Sequence, residues 1–475
     1  MKESVTPERI DGYHLPGLAA PRVTSWSFGG GVVPAIELRA PLLNPALIGR
    51  LVDNLLEARE QHLQARPVLE IVRAIGAVAE RLLDTHDPLR RKAVLALRGV
   101  TGMSAPMAEL ILDGMATDWR EPALARLLEV EFGSPAALDT FVPRAGSAAR
   151  TRVYGSELTV HVFSGNVPGV SVTSMIRSLL LKSAALGKTA AGEPVLAPLF
   201  ARALAEQDPG IGACLAVTYW AGGDESLEAA ALARADAVIA YGGSEAVESL
   251  RRRVPEGARF IGYGHRASFG VIAREALHSA GAAELAHAAA LAVATFDQQG
   301  CVSPHLFYVE EGGETTAREW AELLAAAMGA LEETLPRGVL APGESAAIRQ
   351  ARAEAEFGQL AGRGHELHAS PATTAWTVIF DPEPGFTPSC LNRLVRVKSV
   401  ATLDDIAEQV RPLSSVLQTV GVAGPDERIV RLAEQLGRFG ASRISPIASM
   451  AWPPPQWHHD GRPPLADLAR WCDLG

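Results

Sequence analysis

The spacing of apolar and polar positions changes near residue 150. Residues 21–40 mix short apolar runs with the turn Gly29-Gly30-Gly31, which predicts a small strand pair. Asn44-Pro45 reads as a helix N-cap followed by proline, and Leu47, Ile48, Leu51 and Leu55 then fall on one helical face. The same periodicity over 67–84, 88–98, 105–116 and 121–130 makes the first 140 residues mainly helical. From Arg152 onward, strands alternate with helices, the pattern of βα units on a parallel sheet. Strand 158–163, loop Ser164–Gly169, helix 171–186, a strand ending at Lys188-Thr189 and helix 194–206 come first. Strand 213–219, helix 225–234, strand 236–241, turn Gly242-Gly243, helix 244–253 and strand 258–263 follow. A second α/β block begins with the Ala-rich helix 277–295 and has strands near 304–309, 376–380 and 393–400. Four parts are expected: 1–150 mainly helical, 151–270, 271–445, and a closing tail 446–475.

Composition narrows the classes. The 475 residues suffice for two or three domains, and 48% hydrophobic with 21% charged residues is the balance of a folded chain. Lys+Arg 44 against Asp+Glu 54 gives a net charge of −10 with no basic run, which argues against nucleic acid or acidic lipid as partner. Four dispersed cysteines without a C-x-x-C pair suggest neither a zinc knuckle nor a disulfide framework, and fit a reducing cytoplasm. The N-terminus has no apolar core of a signal segment. The most apolar stretch, Ala280–Phe296, contains Glu284 and His287, so no membrane span is expected.

A few residues could carry chemistry. Cys301 in FDQQGCVSPH follows a long helix and a glycine and precedes a proline that extends the chain, a setting for an accessible thiol nucleophile. Its own amide can form one arm of an oxyanion site; the plainer reading is a small core residue. Asn166 in FSGNVPG leaves a buried strand, and its carboxamide suits an oxyanion donor or, equally, a helix cap. Gly243 and Ser244 open a helix whose free amides could hold a phosphate, with Ser244 as a plain N-cap the alternative. Lys188, at a strand end, could reach a ribose or its 2′-phosphate, or be solvated. His265 and His305 are candidate bases, whereas His458-His459-Asp460 has no third ligand at useful spacing, so no metal is expected. No G-x-G-x-x-G copy lies at any strand-to-helix turn.

Taken in order, FSGNVPG, LGKTA, AYGGSEAV, IGYGHRASFG and FDQQGCVSP resemble the landmarks of the aldehyde dehydrogenase superfamily, and most closely its LuxC-type acyl-CoA reductase branch. The tail WHHDGRPPLADLARW is similar to that branch's ending. The resemblance implies an aldehyde dehydrogenase-like α/β fold. It would have an atypical Rossmann cofactor domain, an α/β catalytic domain, a helical N-terminal segment and a small oligomerisation element. It implies Cys301 as the nucleophile toward an acyl thioester, and Asn166 with the Cys301 amide as the oxyanion site. Lys188, Gly243 and Ser244 would bind the nicotinamide dinucleotide, NADPH in the first instance and NADH as the alternative. Hydrolytic members carry a water-activating glutamate in an E-L-G-G-K segment; here the chain reads Ile261-Gly262-Tyr263-Gly264-His265. Without that carboxylate, an acyl-enzyme survives to be reduced to aldehyde.

The implied substrate is an acyl-CoA or acyl-protein thioester, with a protein that loads acyl groups as a further partner and a homo-oligomer as the assembly. Alternatives are a relative acting on an acyl phosphate or carrier-protein thioester, a non-catalytic acyl-binding subunit, and a cysteine hydrolase. The last would need a histidine held by the thiol, and no familiar local signature marks one.

Overall fold

The computed structural model describes residues 6–19, 22–144 and 146–475. The chain divides into two compact units, Met1–Gly264 with Pro454–Gly475, and His265–Pro453.

The first unit opens with β1 (Glu8–Asp11), β2 (Val23–Gly30) and β3 (Val33–Pro41). β2 and β3 form the expected antiparallel pair, and β1 adds a third strand parallel to β3 that is too short and polar to be read in advance. Five helices follow: α1 (Pro45–His62), α2 (Val68–Leu83), α3 (Pro88–Thr101), α4 (Ala105–Asp118) and α5 (Glu121–Phe132). Their starts are set locally. Asn44 accepts the Leu47 amide at 2.9 Å, and Asp87 and Ser104 cap α3 and α4 in the same way, each ahead of a proline in the first turn.

Next come β4 (Val142–Pro143), β5 (Arg150–Tyr154), β6 (Leu158–Val162), α6 (Val170–Leu180), β7 (Ala184–Lys188), α7 (Leu196–Gln207) and α8 (Pro209–Ala213). β8 (Leu215–Thr218), α9 (Glu225–Leu232), β9 (Ala237–Tyr241), α10 (Ser244–Arg251) and β10 (Arg259–Tyr263) complete the series. The five parallel strands run in the order β10-β9-β6-β7-β8. All residues of β7 and β8 are buried, as expected of a parallel sheet covered on both faces. One side packs on Ile48, Leu51 and Leu55 of α1.

The helix expected over 171–186 is corrected: α6 stops at Leu180, Lys182 turns into the left-handed region with φ 58°, and β7 begins at Ala184. The stretch Leu179–Leu186 is apolar on both sides of that turn, so a buried strand and a buried helix share one pattern there. Strand Arg470–Leu474 returns to pair antiparallel with β5, making a small sheet with β4.

The second unit contains β11 (Ala267–Ile272), α11 (Ser279–Ala294), β12 (Pro304–Glu310), α12 (Ala317–Thr334), α13 (Pro342–Leu360), β13 (Glu366–Ala369) and β14 (Thr377–Phe380). β15 (Leu394–Val400), α14 (Asp404–Val410), β16 (Leu417–Ala423), α15 (Asp426–Arg438) and β17 (Arg443–Pro446) follow. The seven strands are ordered β13-β14-β15-β12-β11-β16-β17, and all pairs are parallel except β13 with β14. Phe269, Leu306 and Tyr308 pack against Ile406, Leu432 and Leu436 on one side.

β11 belongs wholly to this sheet, so the units part at Gly264, ahead of the boundary expected at 270. Residues 446–453 also lie in this unit and not with the tail. Among the described residues Ser279–Gln298 is long and apolar enough to cross a membrane by length and composition, but half of it is buried and α11 packs along α12.

Candidate active site

Parallel βα units leave their strand-to-helix loops on the C-terminal edge of the sheet, and a ligand crevice forms where the strand order reverses. In the first unit the chain runs from β6 through β7 to β8 on one side, then returns to β9 and β10 on the other. Asn166 lies after β6, Lys188 ends β7, and Gly243 and Ser244 follow β9. Four of the five residues that the resemblance implies for the site thus share one sheet edge.

Asn166 is exposed, and its Oδ1 accepts the Ser164 hydroxyl at 2.7 Å. It does not cap α6, because Gly169 is the N-cap, with φ 93° and no side-chain cap bond. A Cβ at Gly165 would come within 2.9 Å of the Glu193 amide, so this loop needs glycine to pass the 192–193 backbone. Ser244 is likewise no cap. Gly243 takes that position with φ −64° and ψ 153°, again without a side-chain cap, and both residues are exposed. The first amides of α10 are therefore presented at an open N-terminus. Lys188 is 7% exposed, lies 5.9 Å over the Trp220 ring, and burial lowers its pKa against the opposing pull of Glu228.

Behind this edge stands a column of rings that sequence reasoning missed. Phe163, Tyr241, Tyr263, His459 and Trp457 follow one another at centroid distances of 6.0, 4.8, 4.2 and 4.8 Å, the last three contacts stacked. Tyr263 and His459 are 196 positions apart, and nothing local in the sequence announces their contact. Burial raises the Tyr263 phenol above its ordinary pKa, so it stays protonated and is no substitute for a carboxylate base. His459, which looked like part of a metal cluster, is an aromatic plate in this column.

Cys301 belongs to the second unit, half-buried in the turn between α11 and β12. The approach to it is strained. Phe296, Asp297 and Gln298 have φ of 58°, 49° and 67°, a left-handed run rare for residues other than glycine. A second such run, Leu391, Asn392 and Arg393 with φ 65°, 56° and 65°, lies against it ahead of β15. Side chains lock the two together. Gln298, fully buried, donates to the Pro304 and Leu394 carbonyls at 2.8 and 2.9 Å and accepts the Leu394 amide at 3.0 Å. Gln299 donates to Asn392 Oδ1 at 3.0 Å. Arg393, 1% exposed, pairs with Asp297 at 2.7 Å and Glu332 at 2.9 Å. The Cys301 carbonyl accepts the Ser268 hydroxyl at 2.7 Å, and Ser268 accepts the Thr419 amide. The DQQ preceding the cysteine was visible as a motif, but its partners lie about 95 residues later.

His305 is 7% exposed and burial pushes its pKa down to about 4, with His265 adding to the shift. Its Nδ1 accepts the Ser389 amide at 3.1 Å, which leaves the proton on Nε2. At neutral pH it is an uncharged donor rather than a charged partner for a thiol. The other cysteines differ: burial pushes Cys214 up to about 12 and also raises Cys390, and Cys472 lies exposed on the terminal strand.

These two α/β units have the architecture of aldehyde dehydrogenases. A benzaldehyde dehydrogenase from Corynebacterium glutamicum superposes with TM-score 0.72 at 16% identity, covering 98% of this chain and 99% of that one. Aldehyde dehydrogenase 21 from Physcomitrella patens gives 0.74 at 13% identity, covering 99% and 98%.

Residues 63–471 match the family Acyl-CoA reductase (LuxC). The chain belongs to that family and is an aldehyde-forming oxidoreductase. Relatives named long-chain acyl-protein thioester reductase include one from Aliivibrio fischeri, 26% identical over 79% of this chain and 75% of that protein. Another, from Photorhabdus luminescens, is 26% identical over 94% and 88%.

Proposed function

We propose that this enzyme reduces an acyl-CoA or acyl-protein thioester to the aldehyde through an acyl group carried on Cys301. The observation that carries the reading is the double left-handed loop, which spends backbone strain to hold one half-buried cysteine in a fixed turn.

A nicotinamide dinucleotide fits the first unit. The α10 N-terminus has no side-chain cap, and a Cβ on Gly243 would meet nothing within 4 Å, so a phosphate can approach the backbone. Ser244 and Gly243 would hold the pyrophosphate. Lys188, at the end of β7 and separated from β9 by β6, would hold the adenosine ribose and favours NADPH by pairing with a 2′-phosphate. When bound, the cofactor supplies the hydride.

The Cys301 thiolate attacks the thioester carbonyl, the bond from carbonyl carbon to the donor's sulfur breaks, and the donor thiolate leaves to take a proton from solvent. Asn166 and the Cys301 amide are the assigned donors to the oxyanion that develops. A neutral carboxamide suits this task because it cannot take up the proton itself. After reduction, the thiohemiacetal loses its hydroxyl proton, its carbon–sulfur bond breaks, and the aldehyde departs from a regenerated Cys301 thiolate. With no carboxylate in the segment Ile261–His265, where hydrolytic relatives carry the glutamate of E-L-G-G-K, the reading has no group there to activate water against the thioester.

A protein-borne donor is favoured by the names of the relatives, and a loading partner would bring it. The exposed edge strand Arg470–Leu474 supports pairing with a second copy. Intact-protein mass after incubation with acyl-CoA and no nicotinamide tests the reading. The wild type gains one acyl mass and Cys301→Ser does not; an adduct retained by Cys301→Ser would remove the assigned nucleophile.

A further inference from the structure

A cavity of about 540 Å³ lies within the first unit, away from every residue assigned above. Part of its lining comes from the starts of the parallel strands: Glu157 precedes β6, Lys182 precedes β7, Asp236 precedes β9 and Arg259 opens β10. In a parallel sheet these starts share one edge, opposite the edge that carries Asn166, Lys188, Gly243 and Ser244. α1 adds Arg59, β5 adds Arg152 and Tyr154, and the terminal strand adds Arg470.

The charges around this cavity do not balance. Arg470 stands opposite Tyr154 in the antiparallel ladder, and Arg152 lies two residues back on the same face of β5. Their guanidinium carbons lie over the Tyr154 ring, 4.8 and 4.9 Å from its centre. Neither guanidinium makes a hydrogen bond or ion pair among the described residues, and Arg152 Nε is buried. Arg59 and Arg259 donate to backbone carbonyls only: Arg59 Nε to Lys182 at 2.9 Å, and Arg259 Nη1 to Asp467 and Ala469. Two other charges are already committed, because Lys182 pairs with Asp139 at 2.6 Å and Asp236 accepts the Glu157 and Leu158 amides. Glu60 and Glu157 are exposed and pair with none of these arginines among the described residues. In a chain of net charge −10, four guanidiniums around one cavity without a carboxylate partner repel one another until an anion enters.

We propose that this cavity binds a small molecule through a phosphate or pyrophosphate group, at a site separate from that of the nicotinamide cofactor. Stacking on Tyr154 fixes the plane of each guanidinium and leaves its edge donors free, and such forks take phosphate oxygens in pairs. The volume is that of a small-molecule site, so an organic remainder fits beside the phosphate. Hydroxyl or amino groups of that remainder can donate to the exposed carboxylates of Glu60 and Glu157. The inference goes beyond the reductase reading and does not rest on it.

The test is calorimetric titration of the full chain with sodium pyrophosphate and with ADP, in wild type, Arg152→Met, Arg470→Met, Arg470→Lys and Ser244→Pro. Wild type should bind, and Arg152→Met and Arg470→Met should each weaken binding about tenfold or more, because a charge-assisted contact is lost. Arg470→Lys keeps the charge without the fork and should recover part of the affinity, while Ser244→Pro should leave this binding within about twofold. ADP binding tighter than pyrophosphate supports a nucleotide ligand, and the reverse order supports a simple phosphate. Arg470 is exposed, so its variants should keep the fold, read as an unchanged Tm without ligand. Failure of wild type to bind either probe would overturn the inference. So would binding lost in Ser244→Pro but kept in Arg470→Met, which would put the anion at the start of α10. A wild type that binds neither probe, but whose assembly in sedimentation is lost in Arg470→Met, would give the cavity to a carboxylate of a second copy and overturn it equally.

Discussion

The loop that carries Cys301 and the turn that opens α10 are built in opposite ways. Around Cys301, backbone strain is held by buried side chains tied across the two loops: Gln298 makes three hydrogen bonds, and Arg393 spans Asp297 and Glu332. At Gly243 and Ser244 the backbone is relaxed, the residues are exposed, and the helix start has no cap. A covalent step tolerates little misplacement of its nucleophile, and a loop fixed in advance is what the proposed role of Cys301 requires. A site for an exchangeable ligand must instead keep donors available until the ligand supplies acceptors. On the proposed function, the first construction belongs to the part that reacts and the second to the part that binds.

The contrast makes graded predictions. Cys301→Ala should lower turnover at least about a thousandfold while leaving cofactor affinity within about twofold, read by steady-state kinetics and by fluorescence titration. Arg393→Met breaks a buried pair and should cost about 3–5 kcal/mol in urea unfolding, and should reduce kcat more than it alters cofactor KM.

Ser244→Pro is the converse experiment. Proline is tolerated at the first helical position, and Gly243 already has the extended backbone that a following proline requires. The substitution removes one amide from the open terminus. It should raise cofactor KM about tenfold with Tm moved by less than about 2 °C, because a charge-assisted hydrogen bond is lost and no internal one. A fall in Tm with unchanged KM would show that the terminus serves the fold alone.

The smallest effect is a dependence on pH. His161 and His305 are buried, one in each unit, and burial lowers their pKa to about 3 and about 4 from an ordinary 6.5. The unfolded chain therefore binds more protons below pH 6.5. Their contribution is complete above that value and declines as pH falls toward 4 for His305 and 3 for His161, by up to about 1.4 kcal/mol per pH unit for each. Asp118, raised to about 6, acts in the opposite sense between its ordinary value and 6, gaining stability as pH falls. Denaturant midpoints from pH 7.5 to 4.5 should show a shallower acid loss for His305→Gln than for wild type.

Much of this arrangement was legible beforehand, for identifiable reasons. The βα turns on the edge of the first sheet are marked by local residues, such as Gly169 at the start of α6 and Gly243 starting α10. So the positions of Asn166, Lys188 and Ser244 could be read from alternation and turn residues alone. The ties of the cysteine loop could not. Gln298 with Leu394, and Asp297 with Arg393, join segments about 96 residues apart, and two left-handed runs without glycine break the usual association of that conformation with glycine. The misread end of α6 has another cause: where every residue is buried, apolar period no longer separates strand from helix.

One measurement bears most directly on the central claim. Wild-type protein is acylated on Cys301 with a carbonyl-labelled thioester, freed of excess donor, and mixed with NADPH in a single turnover. The account predicts that label leaves the protein as aldehyde, and that without NADPH the acyl-enzyme persists far longer than that turnover takes. Label released as carboxylic acid at the same rate with or without NADPH would contradict it, because water would then be the acceptor although the segment Ile261–His265 holds no carboxylate to activate it.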